Sequence, residues 1–248
     1  MKFNVDVLFS GFSGKLEVGY LGWGTWAMIE DGEHKLMLDT GFVGLRLNYS
    51  QILAEHGTTP EEIDYVLLTH LHFDHACNVD FFPNAMFVLS HAEWEYANDP
   101  TRRDGFAELR AIDILKEKQK EGKLVLVGDG DEILHGLTAM MTPGHTPGCC
   151  SYVLDQGNGE VWVMAGDAAK NRGELQTEEV QMSQDPEATS ASLRRIKETA
   201  TRVLPGHDGW VTIRNGEVIP EGGNDKVLTF GQGVKVNGGH NRITLHMD

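Results

Sequence analysis

The segment Thr69-His70-Leu71-His72-Phe73-Asp74-His75 places three imidazoles and one carboxylate within six residues. Neutral imidazole nitrogen and carboxylate oxygen are the donors that a borderline cation such as zinc takes. The segment directly follows the apolar run Tyr65–Leu68, so it is expected to leave a strand end as a loop, where side chains can converge on one point. Taken alone, it could also be a solvated His-rich turn or a linear metal-scavenging tract. Three later positions favour a folded site. His145 lies in Thr142-Pro143-Gly144-His145-Thr146-Pro147-Gly148, Asp167 ends the run Val161–Gly166, and His207 follows Arg202–Pro205. Each stands just past a strand's C-terminal end, beside Gly or Pro residues that fix a tight turn and let the backbone come close. Together these positions supply seven candidate donors, enough for two cations. His34, His56 and His91 lie outside the pattern.

The elements that must position these donors are legible as short β-type runs. They are Val5–Phe9, Trp26–Glu30, Lys35–Asp39, Tyr65–Thr69, Met86–Ser90, Lys123–Val127, Leu137–Thr142, Cys150–Asp155, Val161–Gly166 and Arg202–Pro205. Asp31-Gly32 and Gln156-Gly157-Asn158-Gly159 read as hairpin turns. Helical signals stand between strands. Asn48–His56 stops at Gly57, and Thr59-Pro60-Glu61-Glu62 is a capping box with Pro at the first helical position. Phe106–Lys120 has an apolar stripe at Leu109, Ile112 and Leu115, and Asp185-Pro186-Glu187 opens a helix through Lys197. The mixed order predicts an α/β layered domain whose sheets combine antiparallel and parallel pairs. The chain is expected to form one domain over 1–248, with 220–248 a Gly-rich C-terminal appendage that forms an extra hairpin, Val227–Phe230 with Arg242–His246, or a dimer contact.

Composition narrows the function classes. With 248 residues, 40% hydrophobic and 29 Gly, the chain is long enough to bury a core without disulfides. Lys and Arg number 21 against 37 Asp and Glu, for a net charge of −16. A nucleic-acid partner is not expected, because phosphate binding needs a basic stripe and no Lys/Arg run occurs. No stretch approaches the ~20 apolar residues of a membrane span, and the first residues carry acid and amide where a signal peptide needs an apolar run. A cytoplasmic location is expected. The three Cys form no C-x-x-C and are expected to be reduced, mostly buried thiols.

Taken in order, His-x-His-x-Asp-His, Gly-His-Thr-Pro-Gly, Gly-Asp and Gly-His resemble the motif set of the metallo-β-lactamase superfamily. The resemblance runs from Asp39-Thr40-Gly41 to His207, nearly the whole chain. It implies an αβ/βα four-layer sandwich, with two mixed β-sheets packed face to face, helices outside and a metal site at one sheet edge. Carried over residue by residue, it implies that His70, His72 and His145 hold one metal, that Asp74, His75 and His207 hold a second, and that Asp167 bridges them.

The chemistry of the residues agrees with that assignment. Two divalent cations a few Å apart, most readily zinc although manganese or iron suits the same donors, lower the pKa of a shared water and polarise a carbonyl or phosphoryl oxygen. Asp74 can bind a metal through one oxygen and move a proton with the other. His72 stands where relatives that run iron redox chemistry with flavin partners carry Glu, which points to hydrolysis. A carboxylic ester, lactone, thioester or amide of a small molecule is the expected substrate. Phosphodiester hydrolysis and iron-dependent persulfide dioxygenation are the alternatives. The chain is also similar in size and donor set to lactonases of the acyl-homoserine type, but it carries Lys170 where they carry a Tyr three residues after the bridging Asp. Lys170, Asn171 and Arg172 are therefore the expected substrate-binding residues, with Lys170 recognising an anionic group. Met28, Phe42, Trp94, Phe106 and Met182 are available for an apolar pocket wall or for core packing. A homodimer is possible.

Overall fold

Alternation within the strands decides the layers. In the computed structural model, which describes residues 2–222, 225–236, 239 and 241–246, the first strands run β1 (Asn4–Phe9), β2 (Lys15–Leu16), β3 (Gly19–Tyr20), β4 (Trp26–Glu30) and β5 (Lys35–Leu38). Then come α1 (Tyr49–Glu55), β6 (Tyr65–Leu67), α2 (Phe73–Ala76), β7 (Met86–Ser90), α3 (His91–Asn98), α4 (Leu109–Lys120) and β8 (Leu124–Val127). The second half holds β9 (Glu132–Leu134), β10 (Leu137–Met141), β11 (Cys150–Gly157), β12 (Glu160–Gly166), α5 (Arg172–Thr177), α6 (Pro186–Thr199) and β13 (Arg202–Pro205). It closes with β14 (Val211–Arg214), β15 (Glu217–Pro220), β16 (Lys226–Thr229) and β17 (Arg242–Leu245).

Six strands form one sheet in the order β1-β4-β5-β6-β7-β8, and seven form another in the order β15-β14-β13-β12-β11-β10-β9. Both are mixed. β1, β4 and β5 pair antiparallel and β5 through β8 parallel, while β12 and β13 are the parallel pair of the second sheet. Because side chains alternate faces, each strand serves two cores. Ala27, Ile29, Leu36, Leu38, Leu67 and Val88 of the first sheet meet Leu137, Ala139, Tyr152, Leu154, Trp162 and Met164 of the second. Their neighbours Trp26, Met28, Met37, Val66 and Phe87 face outward onto Tyr49 and Leu53 of α1 and Ile112 and Leu115 of α4. On the far side, Val163, Ala165 and Val203 pack on Leu193 and Ile196 of α6. The layers are thus helix, sheet, sheet, helix, the sandwich expected from the sequence.

The differences from the expected elements have local causes. The capping box at Thr59 forms, but only a single 3-10 turn, Pro60–Glu62, follows it. The next residue but one, Asp64, already donates its backbone N–H to Lys35 as the chain enters β6. The helix expected from Phe106 begins at Leu109 with Glu108 as its cap, because the Phe106 carbonyl is used by Phe73 N–H. The end of the His-rich segment is helical, not a loop: Asp74 and His75 lie on α2. In the tail, Lys226–Thr229 pairs with Arg242–Leu245 as a separate two-stranded sheet. Residues 223, 224, 237, 238, 240, 247 and 248 of the expected appendage lie outside the described residues. Among the described residues, no helix is long and apolar enough to cross a membrane.

Candidate metal centre

All seven candidate donors stand past strand ends or at the start of the short helix that follows β6, and all seven are buried. His70 and His72 lie between β6 and α2, His145 lies in the turn between β10 and β11, Asp167 follows β12 and His207 follows β13. The two sheets are bonded to one another at this end. Cys150 N–H donates to Thr69 O at 2.9 Å, and the Tyr152 hydroxyl donates to Leu68 O at 2.8 Å. Thr25 N–H and Oγ1 donate to Gly206 O and Pro205 O at 2.6 and 2.9 Å. Two glycines make room. A Cβ on Gly24 would come within 2.6 Å of the His75 ring, and one on Gly206 within 2.2 Å of Asp167 Oδ1. Real Cβ atoms do not approach so closely, so both positions require a residue without one.

The donors converge in three overlapping groups: His70, His72 and His145; His70, His75 and Asp167; and Asp74, His75 and His207. Within each group, one donor atom per residue lies within 4.8 Å of the others. Asp167 is central, with Oδ1 3.2 Å from His75 Nε2 and 3.3 Å from His207 Nε2, and Oδ2 3.2 Å from His145 Nε2. Asp74 Oδ2 lies 3.5 Å from His207 Nε2 and 3.8 Å from His75 Nε2. His34, His56 and His91 are elsewhere, facing Asp31, Asp6 and Glu95.

The outer nitrogens show which atoms are left to bind. His75 Nδ1 faces Asp39 Oδ2 at 2.8 Å, His72 Nε2 faces Asp104 Oδ2 at 2.8 Å, and His145 Nδ1 faces Met182 O at 3.0 Å. His70 Nδ1 faces Thr69 Oγ1 at 3.1 Å, a hydroxyl whose own hydrogen goes to Asp39. Each outer nitrogen therefore carries the proton, and each inner nitrogen of a neutral ring presents a lone pair. His72 Nδ1 and His145 Nε2 stand 3.0 Å apart. Two lone pairs at that distance repel unless a cation lies between them. His70 Nε2 is buried with no hydrogen-bond partner among the described residues. Histidines tied from behind to carboxylates and carbonyls are the arrangement of metal ligands, so the donor set fits a divalent cation.

Electrostatics follow from the same packing. Burial pushes His145 down to about 3 and His70 well below the usual imidazole value, so both rings are neutral near pH 7. Burial also disfavours charge on His75, but Asp167, Asp74 and Asp39 outweigh it and hold its pKa well above normal. Asp167 is buried, yet the surrounding imidazoles keep it well below the carboxylate range. Burial opposes ionisation of Asp104, and the His72 hydrogen bond overcomes it, lowering Asp104 to about 2.

Three carboxylates at the site carried no sequence signal for their roles. Asp39, at the end of β5 with φ +52°, accepts from Thr69 and His75. A non-glycine residue there is an outlier of the kind that gathers at functional sites. Glu93 on α3 is buried and accepts from Leu71 N–H and the Thr146 hydroxyl, tying the His70–His72 segment to the His145 turn. Asp104 lies on the connection before α4. His72 itself marks the strand-like segment opposite Ala107, an isolated bridge that brings Asp104 into reach.

Of the expected substrate-binding residues, Lys170 and Asn171 border the cavity. Lys170 reaches the cavity wall, but its buried ammonium faces Glu174 Oε1 at 2.9 Å, so its charge is already offset. Asn171 caps α5, accepting from Glu174 N–H. Arg172 is a correction: its guanidinium is bidentate to Asp208 at 2.7 Å on both arms and does not line the cavity. The cavity, of about 1150 Å³, is bordered by Asp74, Asp167 and His207 on its floor and by Tyr20, Phe106 and Met182 on its wall. Tyr20, from the β2–β3 hairpin, meets Phe106 edge-on at 5.5 Å. Met28 and Trp94 belong to the outer core, and Phe42 stacks on Trp23.

The sequence model of the metallo-beta-lactamase superfamily matches residues 22–207. An N-acyl homoserine lactonase of Bacillus cereus is 29% identical over 161 residues, which are 63% of this chain and 60% of that protein. The chain thus spans about three-fifths of the length of the lactonases it matches. Metallo-beta-lactamase domain-containing protein 1 of Xenopus laevis is 27% identical over 207 residues, 82% of this chain and 79% of that protein. Among solved structures, the hydrolase AbOPH of the beta lactamase superfamily superposes with a TM-score of 0.68 at 21% identity, covering 88% of this chain and 94% of that one. AidC, a dizinc quorum-quenching lactonase, superposes with a TM-score of 0.67 at 20% identity, covering 83% and 82%. These structural likenesses speak for the fold.

Proposed function

The chain belongs to the metallo-β-lactamase superfamily, and on that premise we propose that it is a metal-dependent hydrolase of a small molecule, acting on an ester or lactone before a thioester or amide. The observation that carries the reading is the inward convergence of imidazole nitrogens and two carboxylates at the floor of one cavity. His70, His72 and His145 are assigned to one divalent metal, Asp74, His75 and His207 to a second, and Asp167 to both, with zinc the first choice of metal. When bound, two such cations supply a water acidified toward neutral pH and a Lewis acid for the carbonyl oxygen.

The chain's own residues account for the rest. Asp74 borders the cavity, so the carboxylate oxygen not turned to His75 and His207 can take a proton from the attacking water and return it to the leaving group. Asp39 and Asp104 hold His75 and His72 in one tautomer and one orientation. Tyr20, Phe106 and Met182 offer an apolar wall against which the substrate's acyl part can lie, away from water. The cavity has room for a whole small molecule. Similarity to acyl-homoserine lactonases supports the lactone as first candidate, although Lys170, not a phenol, stands after Asp167. Selection of an anionic substrate by Lys170 loses its support, because Glu174 already neutralises that charge.

The test is a hydrolysis screen over lactones, thioesters, β-lactams and bis-p-nitrophenyl phosphate, with metal content measured on the same samples. Two equivalents of metal and turnover of a lactone or ester are expected. Asp74→Asn should then lower turnover by about two orders of magnitude or more, as for loss of a positioned acid/base. One tightly bound iron with no hydrolysis of any probe would replace this reading with the dioxygenase. Turnover of the phosphate diester alone would replace the acyl substrate.

A further inference from the structure

We propose that Asp104 is a positioning residue for His72 and that Gln184 joins it to the loop carrying His145, so that one polar latch across the cavity mouth sets the first donor group. This rests on the metal-centre reading above.

The latch is built from residues outside both sheets. Asp104 lies on the connection from α3 to α4, and Gln184 on the connection from α5 to α6. Asp104 Oδ1 accepts from Phe106 N–H at 2.8 Å, which fixes the carboxylate relative to its own loop. Asp104 Oδ2 accepts from His72 Nε2 at 2.8 Å and from Gln184 Nε2 at 3.3 Å. The Gln184 side-chain oxygen accepts from the Tyr96 hydroxyl of α3 at 2.9 Å. The amide is thus held from both ends.

The same stretch grips the His145 turn. Met182 O accepts from His145 Nδ1 at 3.0 Å, Ser183 Oγ donates to Gly144 O at 2.8 Å, and Gln184 N–H donates to His145 O at 3.4 Å. The Asp104 loop is clamped to the His-rich segment as well, with Phe73 N–H on Phe106 O at 2.9 Å and Glu108 N–H on Leu71 O at 2.8 Å. Asp104 and Gln184 therefore stand where two independently anchored loops meet. Their contact closes a ring: His72, Asp104, Gln184, the His145 turn, and back across the 3.0 Å gap between His145 Nε2 and His72 Nδ1.

The ring has a chemical consequence. An ionised carboxylate at His72 Nε2 can only accept, so the proton stays on that nitrogen and Nδ1 is kept as the donor atom. Its charge also makes the ring a stronger base toward a cation. Gln184 acts at one remove, by fixing the carboxylate and the spacing of the two loops.

The experiment is a zinc competition titration of the full-length protein against a chromophoric chelator, with Asp104→Asn, Asp104→Ala and Gln184→Leu alongside. Cobalt-substituted absorption spectra and thermal melts of the metal-free proteins accompany it. Two equivalents are expected for the wild type. Asp104→Asn keeps the shape and removes the charge, and should weaken one equivalent by about 10–100-fold, leaving the other unchanged. Gln184→Leu should weaken the same equivalent by less than about tenfold. The cobalt bands should shift in Asp104→Asn while its melting temperature stays with the wild type. Wild-type affinity for both equivalents and an unchanged cobalt spectrum in Asp104→Asn would overturn the proposal. So would equal weakening of both equivalents together with a lower melting temperature, which marks a general structural role. If the wild type itself takes up no metal, the metal-centre reading fails, a result distinct from either of these.

Discussion

The imidazoles of the site are supported from opposite directions. Behind His75, and behind His70 through the Thr69 hydroxyl, stands Asp39, nearly inaccessible at the end of β5. That support belongs to the first sheet and its core. Behind His72 and His145 stand Asp104 and Met182 O, both on connections between helices and both bordering the cavity. One half of the site is built on the framework that the fold itself needs. The other half is built on loops that also form the cavity wall. Stability and metal affinity should therefore come apart between the two halves, and substitutions can show it.

The largest effect is expected at Asp39. Asp39→Ala leaves a buried imidazole and a buried hydroxyl without their acceptor, and should cost about 3–5 kcal/mol of unfolding free energy in denaturant titration of the metal-free protein. The matching change at the mouth, Asp104→Ala, should cost no more than about 2 kcal/mol, because the space that the carboxylate vacates borders the cavity and water can enter it to meet the ring. Equal losses would erase the contrast. Next in size is Lys170→Met, which leaves Glu174 buried with only its bonds from Lys170 N–H and Gln181 N–H. A loss of about 3 kcal/mol is expected, read as a lower urea midpoint. Any loss of activity should be equal on anionic and neutral ester probes; a rise in KM confined to the anionic probe would restore Lys170 as a recognition residue. The smallest effect belongs to Tyr152→Phe. The lost hydroxyl bonds to Leu68 O and Val88 O should cost about 1 kcal/mol in the same titration, with the metal equivalents unchanged.

The framework half was the more legible in the sequence. The ten strand runs that anchor the two sheets carry alternating or continuous apolar patterns, and hairpins turn at Asp31-Gly32 and Gln156–Gly159. Four of the seven donors cluster just past the apolar run Tyr65–Leu68, the other three are polar residues beside Gly or Pro where apolar runs stop, and the structure gathers them. What stayed hidden depends on contacts remote in sequence. Asp104 is separated from His72 by 32 residues and Gln184 from Asp104 by 80, in segments with no periodic signal. Nothing in a one-dimensional pattern distinguishes them from ordinary surface polar residues. Lys170 differs, because its partner is close in sequence. Its spacing from Asp167 was visible, but its partner Glu174 needed the turn of α5 to come within reach. Strands β14 and β15 escaped because Val211–Arg214 and Glu217–Pro220 are short and half polar.

The bonds that join the two sheets beneath the site divide the donors by order of synthesis. His70, His72, Asp74 and His75 belong to the first sheet, which is complete at Val127, whereas His145, Asp167 and His207 follow it. A chain emerging from the ribosome can thus raise its first sheet with four donors in place and no partner to close the centre. Thr25 must wait for Gly206, some 180 residues later, and Thr69 for Cys150. Such distant pairings close slowly, since long loops must be ordered before they are rewarded. A cation bound across both sheets would then act as a staple on finished molecules, stabilising the docked halves by mass action. Supply of metal during growth would consequently alter how much protein survives as well as how much is active.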